Sequence, residues 1–503
     1  MIDPERTELI LGPPGTGKTT HLLGCVEREL EDGIDPSRIG YVSFSQRAAF
    51  EARDRAARRF SLDSDSMPWF RTIHSLTFRQ LGLSPSQVMR PANYQELGRL
   101  MNIDLTGQVS WEDGTQTGQS KGDRALHMDG LSRVRCIPLE EQWETDSDRL
   151  PYYFVERLSR GLRDYKSSRG LVDFTDMLRR FSRGGPCPQL EVLIVDEAQD
   201  LSRLQWSVVE RLAANARRVV IAGDDDQAIY AWAGADLGYF MGLRGQERVL
   251  DQSYRVPIAV QSLAQTLIDR IKVRRPKAWR ARAEQGEVSY LQHPDELDLS
   301  SGQWLVLARN RYLLDEITAV CKRHGYFYAV NGSPSVSSTH LSAIVEWERL
   351  RAGKPVTAED VGKFLPFLPS RHLRPGAKKQ LGALDPFTPL DLTKLTHDYG
   401  LTTADIWHVT LDKIPLLVRE YVIAALKRGE KLRSTPRITL STIHAAKGAE
   451  ADHVALLTDI APRTYRDKTK TPEAEARVWY VAATRAKERL VVIRPQTTKH
   501  YEL

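Results

Sequence analysis

The hydrophobic pattern of the first half of the chain alternates between short apolar runs and stretches with helical spacing. Apolar runs lie at residues 8–11, 39–44, 190–195 and 218–222. A glycine-rich turn follows the first run, and a helical pattern begins at Lys18. Short apolar runs are typical of strands buried on both faces, and their alternation with helices predicts a parallel α/β sheet.

The same alternation returns in the second half. The pattern predicts a strand at residues 304–308, a helix over 311–324 and a strand near 326–330. We therefore expect a second α/β sheet. Its further strands are predicted at residues 437–440, 454–457 and 490–493.

Two stretches interrupt this alternation. Between residues 81 and 163 the sequence becomes polar, with a glycine-rich part at 107–130 that has too little apolar material for a core and an acidic part at 140–148. From 339 to 436 the pattern is helical, punctuated by prolines, and lacks clear strand alternation. We interpret both stretches as mostly helical insertions, one in each sheet.

The composition excludes several classes of protein. With 41% hydrophobic and 27% charged residues over 503 positions, the chain is typical of folded domains, and its length suggests about three of them. No apolar run approaches the roughly 20 residues of a membrane-spanning helix, and the charged N-terminus does not match a signal peptide. Four scattered cysteines predict reduced thiols, so we expect a cytoplasmic location and no membrane partner.

The turn after the first apolar run carries a phosphate-binding motif, G-x-x-x-x-G-K-[ST]. Its glycines let backbone N–H groups face the phosphates, Lys18 neutralises the β- and γ-phosphates, and the Thr19 hydroxyl ligates Mg²⁺. A chance glycine-rich turn is the alternative, and the preceding strand and following helix argue against it. The motif predicts a nucleotide site formed by Gly12, Pro13, Pro14, Gly15, Thr16, Gly17, Lys18, Thr19 and Thr20.

Acidic residues follow the apolar run at 190–195. Asp196, at the end of a buried strand, can hold Mg²⁺, and Glu197 can activate the attacking water as a general base. The pair favours hydrolysis over simple nucleotide binding. Gln227 follows the next strand and can sense the γ-phosphate, although a glutamine at a strand end is by itself more typical of a turn.

Nine segments follow one another from residue 12 to residue 490. They are GPPGTGKTT (12–20), YVSFSQRAAFEAR (41–53), RTIHS (71–75), DFTDML (173–178), VDEAQD (195–200), AGDDDQAIYAWAGA (222–235), LDQSYR (250–255), STIHAAKGAE (441–450) and VWYVAATRAKERL (478–490). In order and wording, they resemble the UvrD/Rep/PcrA-like DNA helicases of superfamily 1.

The resemblance implies an α/β fold with two RecA-like P-loop NTPase domains and mostly helical insertions. ATP would lie in the cleft between the domains, and single-stranded DNA would cross both. The family's arrangement implies motor domain 1A at 1–80 and 164–256, subdomain 1B at 81–163, motor domain 2A at 257–338 and 437–503, and a short subdomain 2B at 339–436.

The resemblance also implies a catalytic set of Lys18, Glu197, Gln227, Arg255 and Arg485. In this set Gln227 couples the γ-phosphate to DNA and Arg255 contacts the γ-phosphate. Arg485 acts as the arginine finger of the second domain, so that hydrolysis depends on closure of the two domains. An isolated arginine is more often an ordinary surface charge, and its place in a matched segment favours the finger.

Further roles follow from the same resemblance. Tyr254 would stack on adenine, and Glu450 would lie near the ribose. Thr19 and Asp196 would be the ligands of Mg²⁺.

The DNA-binding set that the resemblance implies contains hydroxyl, imidazole and aromatic side chains. An aromatic ring can stack on any base, which gives grip without sequence preference. Tyr230 and Trp232 would share a side of an extended segment and could hold a base between them; aromatic residues of the core are the alternative. The set is Phe44, Thr72, His74, Tyr230, Trp232, Thr442 and His444.

The sharpest basic cluster lies at residues 271–282, with six basic residues and no acid. A solvated face and a contact with the DNA backbone are both open interpretations of this segment. The net charge of +6 permits a polyanionic partner without identifying one.

Three features depart from the family pattern. No glutamine precedes the P-loop within residues 1–11, so the choice of nucleotide stays open. Ala233 stands where the family commonly has arginine, which puts the coupling of ATP to DNA in doubt. The second insertion is also shorter than in the large family members.

The leading hypothesis is an ATP- and Mg²⁺-dependent, single-stranded DNA translocase and helicase. By analogy it moves 3′ to 5′, engages single-strand/double-strand junctions and acts as a monomer, with protein partners in repair or replication left open. Two alternatives remain: a translocase that remodels nucleoprotein without unwinding, and a nucleotide-switched DNA-binding protein. Glu197 and Arg485 argue against the switch, which needs neither a base nor a finger.

Overall fold

The first sheet contains the strands predicted for the first half of the chain. The computed structural model describes residues 2–43, 46–107, 120–145, 150–432 and 434–503. The strands are β1 (Thr7–Leu11), β2 (Ile39–Ser43), β3 (Phe70–Thr72), β4 (Val192–Asp196), β5 (Arg218–Gly223) and β6 (Gln246–Val249). All pair in parallel, in the order β3-β2-β4-β5-β1-β6.

A second sheet follows in the later part of the chain. The later strands are β7 (Glu287–Leu291), β8 (Trp304–Ala308), β9 (Tyr328–Val330), β10 (Ser333–Pro334), β11 (Val356–Thr357), β12 (Pro389–Leu390), β13 (Ile438–Thr442), β14 (Ala451–Leu457) and β15 (Ala486–Ile493). Seven of them form a sheet in the order β10-β9-β13-β8-β14-β15-β7, in which the β9–β10 pair is antiparallel. Strands β11 and β12 form a separate antiparallel pair.

Helices cover these sheets and make up most of the two insertions. Those up to the end of the first sheet are α1 (Lys18–Glu31), α2 (Gln46–Phe60), α3 (Ile73–Gln80), α4 (Pro91–Met101), α5 (Lys121–Arg135), α6 (Leu139–Glu144), α7 (Tyr152–Arg169), α8 (Phe174–Gly184), α9 (Arg203–Ala213) and α10 (Leu237–Gly242). The remaining helices are α11 (Ile258–Ile268), α12 (Asp315–Arg323), α13 (Ser338–Arg351), α14 (Ala358–Phe364), α15 (Ala377–Gly382), α16 (Leu392–Tyr399), α17 (Trp407–Thr410), α18 (Leu416–Lys427), α19 (Pro462–Lys470) and α20 (Pro472–Ala483). None of the helices in the described ranges has the length and apolar character needed to cross a bilayer.

The predicted strands are found where the chain is buried on both sides. In β4, Leu193 and Val195 face a core shared with α8 and α9, whereas Ile194 faces a core shared with α1 and α2. The sequence pattern missed β3, β6, β7 and β10, which lie at the edges of their sheets. Strands β3 and β10 have only three and two residues. The residues of β6 and β7 are exposed or half-buried, so these two strands carry no continuous apolar run.

The first insertion has a core of its own, which the expectation for residues 107–130 did not allow. Residues 108–119 lie outside the described residues. So do residues 146–149, which overlap the end of the acidic part at 140–148. Helix α5 nevertheless buries Ala125, Leu126 and Met128 against helices α4 and α7. The prediction was wrong here because apolar residues at helical spacing are easily hidden among charged ones.

The second insertion is helical, as predicted, apart from the short β11–β12 pair. Its side chains share one continuous core with a face of the second sheet. Trp347 and Phe364 from the insertion belong to the same buried cluster as Val306 and Ile438 from strands β8 and β13. This insertion is therefore packed onto the sheet along a hydrophobic surface.

Strand order brings the predicted nucleotide residues to one edge of the first sheet. Strands β4, β5 and β1 are neighbours, with Val195 beside Ile221 and Leu11 beside Gly223. The carboxyl ends of parallel strands meet at one edge, and ligands of open α/β sheets bind there. The loops after these strands carry the P-loop, the acidic pair and Gln227.

We expect the centre of the first sheet to dominate its stability. Leu193 is fully buried in β4, so Leu193→Ala should lower the free energy of unfolding by about 2–5 kcal/mol. Leu100→Ala is the matched control, because Leu100 is 65% exposed and its truncation should change stability by about 0.5 kcal/mol or less. Urea denaturation followed by circular dichroism measures both; equal losses would contradict the assignment of the core.

Candidate active site

The P-loop forms a tight turn between β1 and α1. The Lys18 ammonium donates to the Gly12 carbonyl at 2.7 Å, and the Thr16 hydroxyl donates to the Pro13 carbonyl at 2.8 Å. A Cβ on Gly12 would lie 2.0 Å from Cγ of Lys18, and Gly17 has a φ of 78°, which favours glycine. The free N–H groups of the first turn of α1 adjoin this turn and suit an anion.

Residues 253–255, which follow the first sheet, pack against the P-loop. The Tyr254 N–H donates to the Gly15 carbonyl at 2.8 Å, and the Ser253 hydroxyl donates to the Pro14 carbonyl at 2.7 Å. A Cβ on Gly15 would meet Cβ of Arg255 at 2.4 Å. The Tyr254 ring is 74% exposed beside the phosphate loop, so it is free to stack on a flat ligand.

Asp196 is a buried acid at the carboxyl end of β4. The Tyr41 hydroxyl donates to its carboxylate at 2.7 Å. Burial, together with the neighbouring Glu197, raises the pKa of Asp196 to about 6. A divalent cation would favour its ionised form, and a carboxylate with the Thr19 hydroxyl fits the oxygen ligands that Mg²⁺ takes alongside nucleotide phosphates.

Glu197 combines a strained backbone with a carboxylate that is held ionised. Its φ of 52° lies in the left-handed region, which is strained for a residue with a side chain. Gln199 donates to its carboxylate at 2.6 Å. Burial opposes ionisation of Glu197, but Lys18 and Lys447 outweigh it and lower the pKa to about 2. Glu197 is therefore ionised near neutral pH.

A chain of hydrogen bonds joins the two sheets behind this acid. Gln199 accepts from the Asp224 N–H at 3.0 Å, and the Gln227 amide donates to the Asp224 carboxylate at 2.7 Å. The Arg485 guanidinium then donates to the Gln227 side-chain oxygen at 2.9 Å. Arg485 is 3% exposed, and burial lowers its pKa to about 9. An arginine of the second sheet thus reaches the sensor position of the first.

Arg255 and Glu450 lie together at the same cleft. The Arg255 side chain donates to the Glu450 carboxylate at 2.6 Å, and Lys487 pairs with that carboxylate at 2.7 Å. Burial raises the pKa of Glu450, but Arg255 and Lys487 lower it overall. The roles of Arg255 at the phosphate and of Glu450 at the ribose stay predictions.

Lys447 is a site residue that the sequence reasoning missed. Its ammonium donates to the Gln227 carbonyl at 2.7 Å, forms an ion pair with Asp200 and lies 4.0 Å from the Glu197 carboxylate. Burial raises the pKa of Asp200 to about 7 despite this partner. The only available signal was that Lys447 stands inside the segment STIHAAKGAE.

The aromatic pair differs from the expected base clamp. Residues Ala231–Ala233 form a 3-10 turn rather than an extended segment. The Tyr230 and Trp232 ring centroids are 6.0 Å apart, whereas a base between them needs two separations of about 3.5 Å each. The clamp is therefore wrong for this arrangement. Both rings instead contact the His444 ring, and the Tyr230 hydroxyl donates to the His444 carbonyl at 3.1 Å.

The other predicted DNA residues are mostly buried. Thr72 caps helix α3 by accepting from the Ser75 N–H, and His74 packs against Phe174. Burial lowers the pKa of His74 to about 4, so its ring is neutral. Thr442 and His444 are 0% and 2% exposed. Thr72, Thr442 and His444 are buried, whereas His74 is half-buried. The DNA contacts of all four stay predictions, as does that of Phe44, which lies outside the described residues.

The first insertion reaches the loop in which Ala233 replaces the family arginine. The Arg135 guanidinium, at the end of α5, donates to the Ala231 carbonyl at 2.9 Å. Gly234 has a φ of 95°, and a Cβ there would lie 2.7 Å from the Val134 side chain. An arginine from the insertion therefore contacts this loop.

The basic segment 271–282 is neither a solvated face nor an open DNA surface at its centre. Arg274, Arg275 and Lys277 point into the protein and pair with acids of the first sheet's side. Lys272 and Arg280 are exposed, and the Arg280 side chain is 70% exposed. Both open interpretations were wrong for the three inward residues, because a charge run does not reveal its partners.

The first sheet carries a P-loop and a strand-end acid, and Arg485, just before β15, reaches it from a second, mostly parallel sheet. This arrangement defines a P-loop NTPase with two RecA-like domains. The family model of the UvrD/REP helicase N-terminal domain matches residues 2–246, and that of the UvrD-like helicase C-terminal domain matches residues 413–497. The two models together cover about two thirds of the chain. The chain therefore belongs to the UvrD/Rep/PcrA family of superfamily 1 helicases.

Curated proteins similar to this chain are DNA helicases. DNA helicase II of Escherichia coli (strain K12) is 27% identical over 327 residues, which are 59% of this chain and 43% of that protein. The ATP-dependent DNA helicase PcrA of Leuconostoc citreum is 24% identical over 311 residues, or 58% of this chain and 41% of that protein. The chain thus spans less than half the length of these relatives. A solved structure of PRRSV helicase covers 98% of this chain and 53% of that chain, at 11% identity and a TM-score of 0.34.

We expect nucleotide binding to depend on Lys18. Lys18→Ala removes the ammonium that lies at the P-loop and is predicted to face the phosphates. ATP affinity should therefore fall by about tenfold or more, as for the loss of a hydrogen bond to a charged group. Isothermal calorimetry with ATP and Mg²⁺ measures the change, with the exposed Lys121→Ala as control. Unchanged affinity in a folded Lys18→Ala protein would refute the assignment of the P-loop.

Proposed function

We propose that this protein hydrolyses ATP to move along single-stranded DNA and to unwind duplex ahead of it. The observation that carries the proposal is the contact of Arg485 with Gln227, because it joins the second sheet to the sensor position of the first. Hydrolysis that needs groups from both sides depends on how the two sides meet. Family membership supports the choice of DNA as the track.

Each side chain has a defined part in the proposed hydrolysis. Lys18 and the N-terminus of α1 hold the β- and γ-phosphates, and Glu197 accepts a proton from the attacking water. Asp196 and Thr19 would hold Mg²⁺, which would neutralise phosphate oxygens when bound. Arg485 stabilises the charge that develops on the transferred phosphate. Residues 12–20, Tyr254 and Glu450 complete the proposed nucleotide site.

The proposed coupling to DNA runs through one loop. Gln227 contacts the second sheet through Arg485 and Lys447, and the Tyr230–Trp232 pair follows a few residues later. A change at the γ-phosphate can therefore alter the aromatic pair along a short path. The proposed DNA surface also includes Phe44, Thr72, His74, Thr442 and His444. A relative movement of the two sheets would have to expose the buried members of this set to DNA.

Several finer proposals rest on family analogy. They are movement 3′ to 5′, engagement of single-strand/double-strand junctions and action as a monomer. The proposed domain boundaries rest on the same analogy: 1–80 with 164–256 for 1A, 81–163 for 1B, 257–338 with 437–503 for 2A, and 339–436 for 2B.

The cysteines bear on the location of the protein. All four lie among the described residues and are free thiols, which supports a reducing, cytoplasmic setting.

Steady-state ATP hydrolysis with and without single-stranded DNA tests the function. We expect DNA to stimulate turnover, and Glu197→Gln to lower it by about 10²- to 10⁴-fold while ATP binding is kept, because the general base is lost. Repeating the assay with other nucleotides tests the choice of ATP. Turnover that ignores DNA would contradict the motor. A forked-duplex assay then separates unwinding from the remodelling of nucleoprotein.

We expect Trp232 to contribute to DNA affinity through one ring face, since it is half-buried and lacks room for a clamp. Trp232→Ala should weaken binding of a fluorescent oligonucleotide by about 1–3 kcal/mol. Phe387→Ala is the control, because Phe387 is 79% exposed on the second insertion. Equal affinity of wild type and Trp232→Ala would make Trp232 a purely structural residue.

A further inference from the structure

Three adjacent carboxylates, Asp224, Asp225 and Asp226, are buried together after β5 and are named here the carboxylate triad. The Lys277 ammonium contacts all three, at 3.2 Å, 2.5 Å and 2.9 Å in that order. The Lys277 side chain is 1% exposed. The ammonium thus holds the position that a metal ion would need, and the triad has a protein counter-ion.

Neighbouring basic residues add hydrogen bonds to the triad, and Arg274 supplies a second positive charge beside Lys277. Arg274 donates two hydrogen bonds to the Asp226 carboxylate, at 2.8 Å and 2.7 Å. The backbone N–H of Arg275 donates to the Asp225 carboxylate at 2.8 Å. The Arg477 guanidinium donates to the Asp225 backbone carbonyl at 2.9 Å. Burial opposes the charge of Lys277, but the triad outweighs it and raises the pKa of Lys277.

These basic groups come from the second sheet's side. Ile271, at the start of the basic segment, belongs to the same buried core as Leu305 and Leu456 of strands β8 and β14. Arg477 lies on α20, which packs into that core through Trp479. The triad is therefore held by groups from across the cleft.

Asp224 connects Lys277 to the proposed γ-phosphate sensor. One oxygen of its carboxylate faces Lys277 at 3.2 Å, and the other accepts from the Gln227 amide at 2.7 Å. That bond fixes which way the amide points, so the Gln227 oxygen faces Arg485 at 2.9 Å. Without Lys277, the Asp224 carboxylate would be buried beside two like charges and would protonate or turn, and Gln227 would lose its orientation.

We propose that Lys277 is a positioning residue for catalysis: through Asp224 it holds the Gln227 amide in the orientation that receives Arg485. The role rests on the proposed function, since it concerns the sensor of the same site. It also accounts for the inward part of the basic segment, which the DNA-contact interpretation left unexplained.

The test compares Lys277→Met, which keeps length and loses charge, with Arg280→Met, whose parent side chain is 70% exposed in the same segment. We expect Lys277→Met to lower kcat of DNA-stimulated ATP hydrolysis by about 10- to 100-fold, as for a displaced catalytic group. KM for ATP and the affinity for a fluorescent oligonucleotide should stay within about twofold. Arg280→Met should keep kcat.

A double-mutant cycle with Gln227→Ala separates positioning from general support of the fold. If Lys277 acts through Gln227, adding Lys277→Met to Gln227→Ala should lower kcat by less than about twofold. If Lys277→Met lacks a native thermal transition, the pair Lys277→Met/Asp225→Asn removes one uncompensated charge, while Asp224 still lacks the ammonium that holds its carboxylate toward Gln227. That pair should show the same loss of kcat.

Three results would overturn the role of Lys277. They are a normal kcat in folded Lys277→Met or in the compensated pair, fully additive losses in the cycle, and a fall in oligonucleotide affinity shared by Lys277→Met and Arg280→Met. Wild-type protein is assayed in parallel. Wild-type turnover without DNA stimulation would instead refute the proposed function, so the two failures are distinguishable.

Discussion

The structure depends on the pairing of buried charges across the cleft between the two sheets. The carboxylate triad after β5 and the acid Asp200 after β4 are buried, and their partners Arg274, Lys277 and Lys447 come from the other side. A buried charge without a partner is costly, so the charges of these acids depend on the partners that the two sides bring together. The same pairing holds Gln227 and brings Arg485 to it. The catalytic arrangement is therefore a property of the cleft rather than of either sheet.

Local patterns predicted the parts of the site that lie within one loop. The P-loop and the Asp196–Glu197 pair each follow a buried strand, and parallel strand order places them at one edge. The edge strands β6 and β7 were missed because half-exposed strands carry no apolar run. The inward turn of Lys277 could not be predicted, since its acids are about 50 residues away in sequence and only the tertiary fold brings them together.

Glu197 has both a strained backbone and a charged side chain. Its left-handed backbone costs on the order of 1–3 kcal/mol, and the bond from Gln199 and the fields of Lys18 and Lys447 hold it in place. Gln199 and Lys18 lie on the first sheet's side of the cleft, whereas Lys447 lies on the second sheet's side. An opening of the cleft would therefore remove a charge that favours the ionised Glu197 and would also separate Arg485 from Gln227, so one movement would affect both the proposed base and the proposed finger.

The loop after Gln227 is the point where three parts of the chain meet. The Ala231 carbonyl accepts from Arg135 of the first insertion, and the Tyr230 hydroxyl donates to the His444 carbonyl on the second sheet's side. Ala233 removes the family arginine from this loop, yet an arginine still contacts it, now from helix α5. The loop is thus held by an arginine of the first insertion. Movement of the first insertion is thereby tied to the aromatic pair, which gives that insertion a direct physical connection to the nucleotide sensor.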